Sequence, residues 1–372
     1  MRDLGRQLVG AALLMLAGTH QAAAQSGKDV NFGILATETS VVQKKNWEPL
    51  LAAMSKATGL NVYGFYATDY AGVIEAMRFG KVQVAWYGNK SGMEASNRSG
   101  AEVFAQNVMR DGSMGYNAHI IVNTDSPYTK LDDVLKCDKS IDFGIGDPNS
   151  TSGFLVPTAY IFAPKNIDPK SCFKTVRNAS HEANALAIAN NLVAAATNNS
   201  ISLKRLERTA PDALRKIRVI WTSPLIPDNP MMWRRDLDPS AKAKIYTFLM
   251  SYGRIGTSDE INAAKVVLAN LLWSPFLPAS DDHLLPIRIL EANKSIVKLK
   301  ADERLSAADK AAQIAPLEAD IKKYLEQSDK AQKSDFAKRV AQFIETDKIG
   351  DQNALKKMVA EFVAITTSAP VN

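Results

Sequence analysis

Three consecutive alcohol side chains, Ser150, Thr151 and Ser152, follow the turn Gly146-Asp147-Pro148-Asn149. A strand pattern (141–146) precedes them, and a helix pattern opens at Gly153. The first turn of a helix leaves backbone N–H groups without an intrahelical acceptor, and its dipole favours negative charge. Hydroxyls at that end add donors, so the expected guest is an oxyanion with three oxygens. One Ser or Thr is enough for a helix cap; three in a row exceed that need. Gly146 and Gly153 permit close approach of the backbone. The segment is not a P-loop, since no GxxxxGK[ST] is present and no Lys follows.

A second helix opens at Asn178-Ala179-Ser180-His181-Glu182 after the strand pattern 175–178. In an open parallel sheet ligands sit at the strand-end crevice, so His181 is expected to face the same crevice as Ser150–Ser152. Its protonated form would add charge, so affinity is expected to fall as pH rises through its titration. Tyr70 begins a helix in Thr68-Asp69-Tyr70-Ala71-Gly72, and Tyr116 lies beside a chain crossover. Either tyrosine suits closure over a ligand from the opposite side, and either suits plain packing. A secreted hydrolase using Ser150 or Ser152 with His181 is the rival chemistry. It needs a third group to orient the base, and an oxyanion hole. Glu182 is adjacent on a helix and diverges from His181, and no G-x-S-x-G elbow occurs. The binder reading is therefore preferred.

The chain that must position these groups has 372 residues, 46% hydrophobic and 23% charged. That is the composition of a folded globular protein, long enough for two domains and an appendage. Arg2 and Arg6 precede the apolar run 8–16, and small residues end in Ala22-Ala23-Ala24. This reads as an export signal over 1–24, with cleavage expected after Ala24; the apolar run is too short to span a membrane. Without Arg2, Arg6 and Asp3 the chain carries 43 basic and 38 acidic residues. No Lys/Arg stripe with interleaved aromatics appears, so no nucleic-acid partner is expected. The two cysteines, Cys137 and Cys172, are a candidate disulfide in an exported chain. Each lies just before a predicted strand, so parallel neighbours would bring them to one sheet edge; two buried free thiols is the other reading. Their number and spacing offer no zinc site.

Strand patterns at 30–35, 60–65, 82–87, 119–122, 141–146, 175–178, 193–197 and 219–221 alternate with helical ones. This argues for an α/β fold of parallel sheets. Trp47, Leu50, Leu51 and Met54 mark the buried face of a helix over 46–58. Two blocks separate: lobe 1 at 29–121 with about 231–290, and lobe 2 at 122–230. The crossings at 116–122 and 221–233 are expected to form a hinge, the second as a proline-rich connector. The remainder, 291–372, is about one third charged and is expected to be a helical C-terminal extension. In it Leu355, Met358, Val359, Phe362 and Val363 form an apolar stripe that either covers the chain's own lobe or makes a homodimer contact.

Read together, several stretches resemble the phosphonate-binding periplasmic proteins of ABC importers over about residues 30–290. They are Asn31-Phe32-Gly33-Ile34, Asp69-Tyr70-Ala71-Gly72, Ala85-Trp86-Tyr87-Gly88-Asn89, the run from Phe143 to Pro157, His181 to Ala187, and Ser223 to Pro227. The resemblance implies a two-lobed type II periplasmic binding fold that closes on a phosphonate by a hinge. It implies an ABC permease and its ATPase as partners, with no catalysis, cofactor or metal; a sensing partner of a membrane receptor shares the same fold. It places the phosphonate group on Ser150, Thr151, Ser152 and His181, with aromatic contacts from Tyr70 and Tyr116. Family members that bind 2-aminoethylphosphonate hold the amine with two acidic side chains. The matching positions here are Ile201 and Asn229, neither of which carries negative charge, with Asp228 adjacent. An ammonium would be poorly compensated in a dry cleft, so an alkylphosphonate or phosphite is expected to be preferred. From about 335 onward the chain is longer than is usual in the family.

Overall fold

The computed structural model describes residues 28–367; the expected leader 1–24 and its cleavage after Ala24 lie outside the described residues. In chain order the strands are β1 (Asp29–Ile34), β2 (Asn61–Tyr66), β3 (Val84–Trp86), β4 (Ala101–Met109), β5 (Gly115–Tyr116), β6 (Ala118–Asn123) and β7 (Asp142–Ile145). They continue as β8 (Thr175–Asn178), β9 (Ala195–Asn199), β10 (Ile217–Thr222), β11 (Ile226–Pro227), β12 (Pro230–Arg234) and β13 (Trp273–Pro278). A first sheet has the order β13-β4-β12-β3-β1-β2, and a second has the order β10-β6-β9-β7-β8. The short ribbon β5–β11 lies where the chain passes between them in both directions.

Both sheets are mixed, which corrects the all-parallel expectation. β1 pairs in parallel with β2 and β3, and β7 with β8 and β9. By contrast β12, β13, β6 and β10 run antiparallel to their neighbours. The crossing strands β6 and β12 enter their sheets reversed relative to β9 and β3. The same crossings shift the block boundaries. The second sheet takes residues from Ala118 rather than 122, and Pro230–Arg234 is an interior strand of the first sheet, not a connector. Pro230 is tolerated there as the strand's first residue.

Packing follows the sequence patterns. The helix Ser40–Thr58 is capped by Thr39 and stopped at Gly59, whose φ of 69° a side chain would resist. It buries Trp47, Leu50, Leu51 and Met54. Trp47 meets Trp86 and Trp273 with ring centroids 5.5 and 5.2 Å apart, so aromatic mass backs the first sheet where β3 ends. In the second sheet Phe143 stacks on Phe173 at 4.3 Å. Cys137 and Cys172 are bonded to each other, close to where the parallel neighbours β7 and β8 begin.

The extension does not start at 291, because the helix Leu285–Ala301 runs through that point unbroken. Helices Ala307–Gln332, Asp335–Ile349 and Gln352–Thr367 follow. Leu355, Met358, Val359 and Phe362 are buried in the first sheet's own core together with Phe343, and Val363 packs beside them. Arg254 Nε donates to Asp347 Oδ2 at 2.7 Å and ties the extension to that core. The stripe is therefore consumed within the chain, which removes it as a homodimer face.

Candidate functional site

Five helices begin at, or just after, residues that line one cavity of about 30 Å³ between the two sheets. From the first sheet's side come Tyr70–Arg78, opening at Tyr70, and Asn89–Arg98, preceded by Gly88. From the second come the helical run that starts at Thr151 after Ser150, His181–Ala189 after Ser180, and Ser200–Thr209 after Asn199. Strand ends turn into helix starts at this crevice, as expected for ligand sites in such sheets. Five positive helix ends point to one small space, an environment that favours negative charge, and among the described residues lining it Arg205 is paired with Glu38.

The three hydroxyls are set up as donors. Ser150 Oγ accepts from the Gly153 amide at 3.0 Å, Thr151 Oγ1 from the Lys90 amide at 2.8 Å, and Ser152 Oγ from Asn199 Nδ2 at 3.0 Å. Each oxygen thus has an acceptor lone pair already used, and its O–H is left to donate. The Thr151 contact comes from the first sheet's side. The helical run is wide: Thr151–Leu155 and Thr158–Phe162 make i to i+5 bonds. This departs from the plain α-helix expected and leaves one more leading amide unpaired than an α-turn would. Gly146 and Gly153 do approach closely, but what each approaches is the other. A Cβ on Gly146 would lie 2.6 Å from the Gly153 Cα, and the Gly146 amide bonds the Gly153 carbonyl at 3.0 Å. The glycine pair folds the loop onto itself and sets the hydroxyls at its tip.

His181 Nε2 lies 3.4 Å from Ser150 Oγ and 3.5 Å from Ser152 Oγ, while its Nδ1 is buried without a partner. Burial, helped by the Arg205 charge, pulls His181 down to about 4. The ring is therefore neutral in the ligand-free protein above pH 5.5. The Tyr70 hydroxyl faces Ser150, and that of Tyr116 faces Thr151 and Ser152; burial pushes both up, so they remain donors. Asp147 Oδ2 accepts from the Tyr70 amide at 3.2 Å across the crevice.

Beyond the cradle the cavity wall is formed by Leu35, Trp86, Ile201 and Asn229, with Glu38 and Arg205 paired to each other. Asn229 Oδ1 is buried without a partner. Asp228 does not line the cavity. It is fully buried behind it, and burial pushes its carboxyl up to about 7. It therefore does not replace the charge missing at Ile201 and Asn229.

Thus Ser150, Thr151, Ser152, His181, Tyr70, Tyr116, Ile201 and Asn229 are brought to one cavity. Sequence reasoning missed Gly88, Asn199, Glu38 and Arg205. Asn199 carried a findable signal, since Asn-Asn-Ser between a strand and a helix pattern is a cap sequence. Among the described residues no group of three or more His, Cys, Asp or Glu is placed to hold a metal ion.

Residues 32–284 match the family described as ABC transporter, phosphonate, periplasmic substrate-binding protein. The phosphonates-binding periplasmic protein of Escherichia coli (strain K12) is 48% identical over 299 residues, covering 80% of this chain and 86% of that protein. A crystal structure of a binding protein component of an ABC phosphonate transporter from Pseudomonas aeruginosa is 46% identical. It covers 82% of this chain and 99% of that one, with a TM-score of 0.78. A Prochlorococcus marinus protein in complex with methylphosphonate shares the fold at 18% identity and TM-score 0.63, covering 73% of this chain and 99% of that one. The architecture is thus the two-lobed type II periplasmic binding fold with a helical C-terminal extension. The chain belongs to the phosphonate periplasmic substrate-binding protein family of ABC transporters.

Proposed function

We propose that this chain is the exported substrate-binding component of a phosphonate importer. It captures the phosphonate group on Ser150, Thr151, Ser152 and His181, with Tyr70 and Tyr116 closing from the other side, and delivers it to an ABC permease powered by its ATPase. The observation that carries this reading is the set of five helix starts and three donor-poised hydroxyls around one cavity. The relatives named above are phosphonate binders by their own descriptions. The working site is the periplasm, reached through the leader 1–24. The lobes are the units around the two sheets, with the β5–β11 ribbon and residues 223–229 as the hinge. Contacts made only on closure shift the population toward the closed form.

No chemistry is assigned to the site. A hydrolase needs an acid on the far nitrogen of its histidine, and Nδ1 of His181 has no partner. Ile201 and Asn229 leave the tail end without a free carboxylate, since Glu38 is tied to Arg205. Methylphosphonate or phosphite is therefore favoured over 2-aminoethylphosphonate. Calorimetry with methylphosphonate, phosphite, phosphate, methanesulfonate and 2-aminoethylphosphonate tests this. Phosphonates are expected to bind and the amino ligand to trail; tighter binding of the amino ligand, or of methanesulfonate, refutes it.

A further inference from the structure

The helix Ser200–Thr209 runs away from the cradle like a ruler. Asn199, its cap, bonds Ser152 at 3.0 Å. Ile201 and Ser202 come next along the cavity wall, and Arg205 one turn beyond Ile201. Side chains of a helix lean back toward its N-terminus, and Arg205 does so across the crevice. It pairs with Glu38, its guanidinium carbon lies 5.9 Å from the Trp86 ring centroid, and Thr37 Oγ1 accepts from it at 3.4 Å. Arg205 and Glu38 are 13% and 9% exposed, so the pair is largely dry. On the far side lies a larger groove of about 340 Å³ lined by Val42, Lys45, Glu182, Arg208 and Thr209. Glu38, Ser202 and Arg205 line both the cavity and this groove. The ion pair, with Ser202, thus stands between a space for a few heavy atoms and a roomier groove.

We infer that the Glu38–Arg205 pair is the end wall of the ligand cavity and sets the length of tail the protein accepts. The inference rests on the phosphonate reading above and adds a length limit to it. A one- or two-carbon tail fits between the cradle and the wall. A four-carbon tail must part the pair, and parting it strands two buried charges. One charge comes from each lobe, so a long tail also opposes closure.

The test is a calorimetric series of methyl-, ethyl- and n-butylphosphonate on the full mature chain and on the double variant Glu38→Ala/Arg205→Ala, which removes both charges together. The wild type is expected to bind n-butylphosphonate at least about 30-fold more weakly than ethylphosphonate. The double variant should shrink that ratio to about threefold or less, its tail now entering the groove. A flat wild-type series overturns the inference without reference to any variant. So does a double variant that keeps the wild-type ratio, even when every affinity falls, since the pair then only latches the lobes. A wild type that binds none of the three overturns the phosphonate reading itself, a different result from binding all three equally.

Discussion

Replacing Asp228 by Asn should stabilise the protein, and by an amount that grows with pH. Asp228 lies between β11 and β12 with no exposed surface. Burial pushes its carboxyl from the ordinary 3.8 up to about 7; Asn107 and the Met109 amide lie near enough to ease this only slightly, and neither oxygen holds a hydrogen bond of normal geometry. At about 1.4 kcal/mol per pH unit, ionising it costs the folded state about 4 kcal/mol. The sign follows from proton counting. Between pH 3.8 and about 7 the folded chain keeps a proton that the unfolded chain has lost, so stability falls as pH rises through that window and levels off above it. Asn keeps the shape and does not titrate. Urea unfolding at pH 5, 6, 7 and 8 should therefore show the variant gaining on the wild type by about 3 kcal/mol between pH 5 and 8. His283, whose Nε2 bonds the Asp228 carbonyl at 2.7 Å, is itself lowered to about 4 by burial, and its own linkage is common to both proteins and cancels in the difference. A gap that stays constant across the four pH values to within about 0.5 kcal/mol would refute the reasoning.

Four further outcomes are expected. Ser152→Ala removes one donor to a charged ligand and should weaken methylphosphonate binding by about 1.5–3 kcal/mol in calorimetry, against no loss if the hydroxyl only caps a helix. Ile201→Glu with Asn229→Asp should invert the ligand order, so that 2-aminoethylphosphonate overtakes methylphosphonate; an unchanged order rejects these positions as the tail site. The His181 ring should remain neutral in the ligand-free protein from pH 8 down to 5.5, with its NMR signals constant, because burial holds it at about 4; a midpoint above 6 contradicts that. Phe362→Ala empties a fully buried position against Tyr246, Phe336 and Phe343 and should cost about 3–5 kcal/mol of stability while leaving ligand affinity alone.

The strands that bear the cradle were legible because each is a short apolar run ended by a helix cap. β1, β7 and β9 show this, with Ser150 and Asn199 at the turns. Less visible was Ala101–Met109. Seven of its nine residues are buried with no strict alternation, so no two-residue period marks it as a strand. Pro230–Arg234 was hidden by the proline-rich stretch it follows, and its place inside the sheet depends on where the chain returns. The width of the helix at Thr151 was not legible either, since propensity does not separate i to i+4 from i to i+5 bonding. Glu38 and Arg205 stand 167 residues apart. Nothing local marks either one, because their pairing exists only when the two sheets face each other.

That distance dependence bears on how such a site lets go. The cradle holds no unpaired cation: His181 is neutral, Arg205 is matched by Glu38, and the attraction comes from amides, hydroxyls and helix ends. Such dipoles act strongly only where water is excluded. Each lobe supplies part of them. The Lys90 amide sets Thr151, and Tyr70 and Tyr116 face the hydroxyls, while Asp147 receives the Tyr70 amide. On the proposed reading, parting the sheets would remove the Lys90 and Tyr70 contacts, admit water and open the end wall in one movement. A fixed cation would go on holding an anion after opening, whereas a cradle of shared dipoles weakens as a unit. A partner that separates the lobes therefore need not compete for the ligand at all.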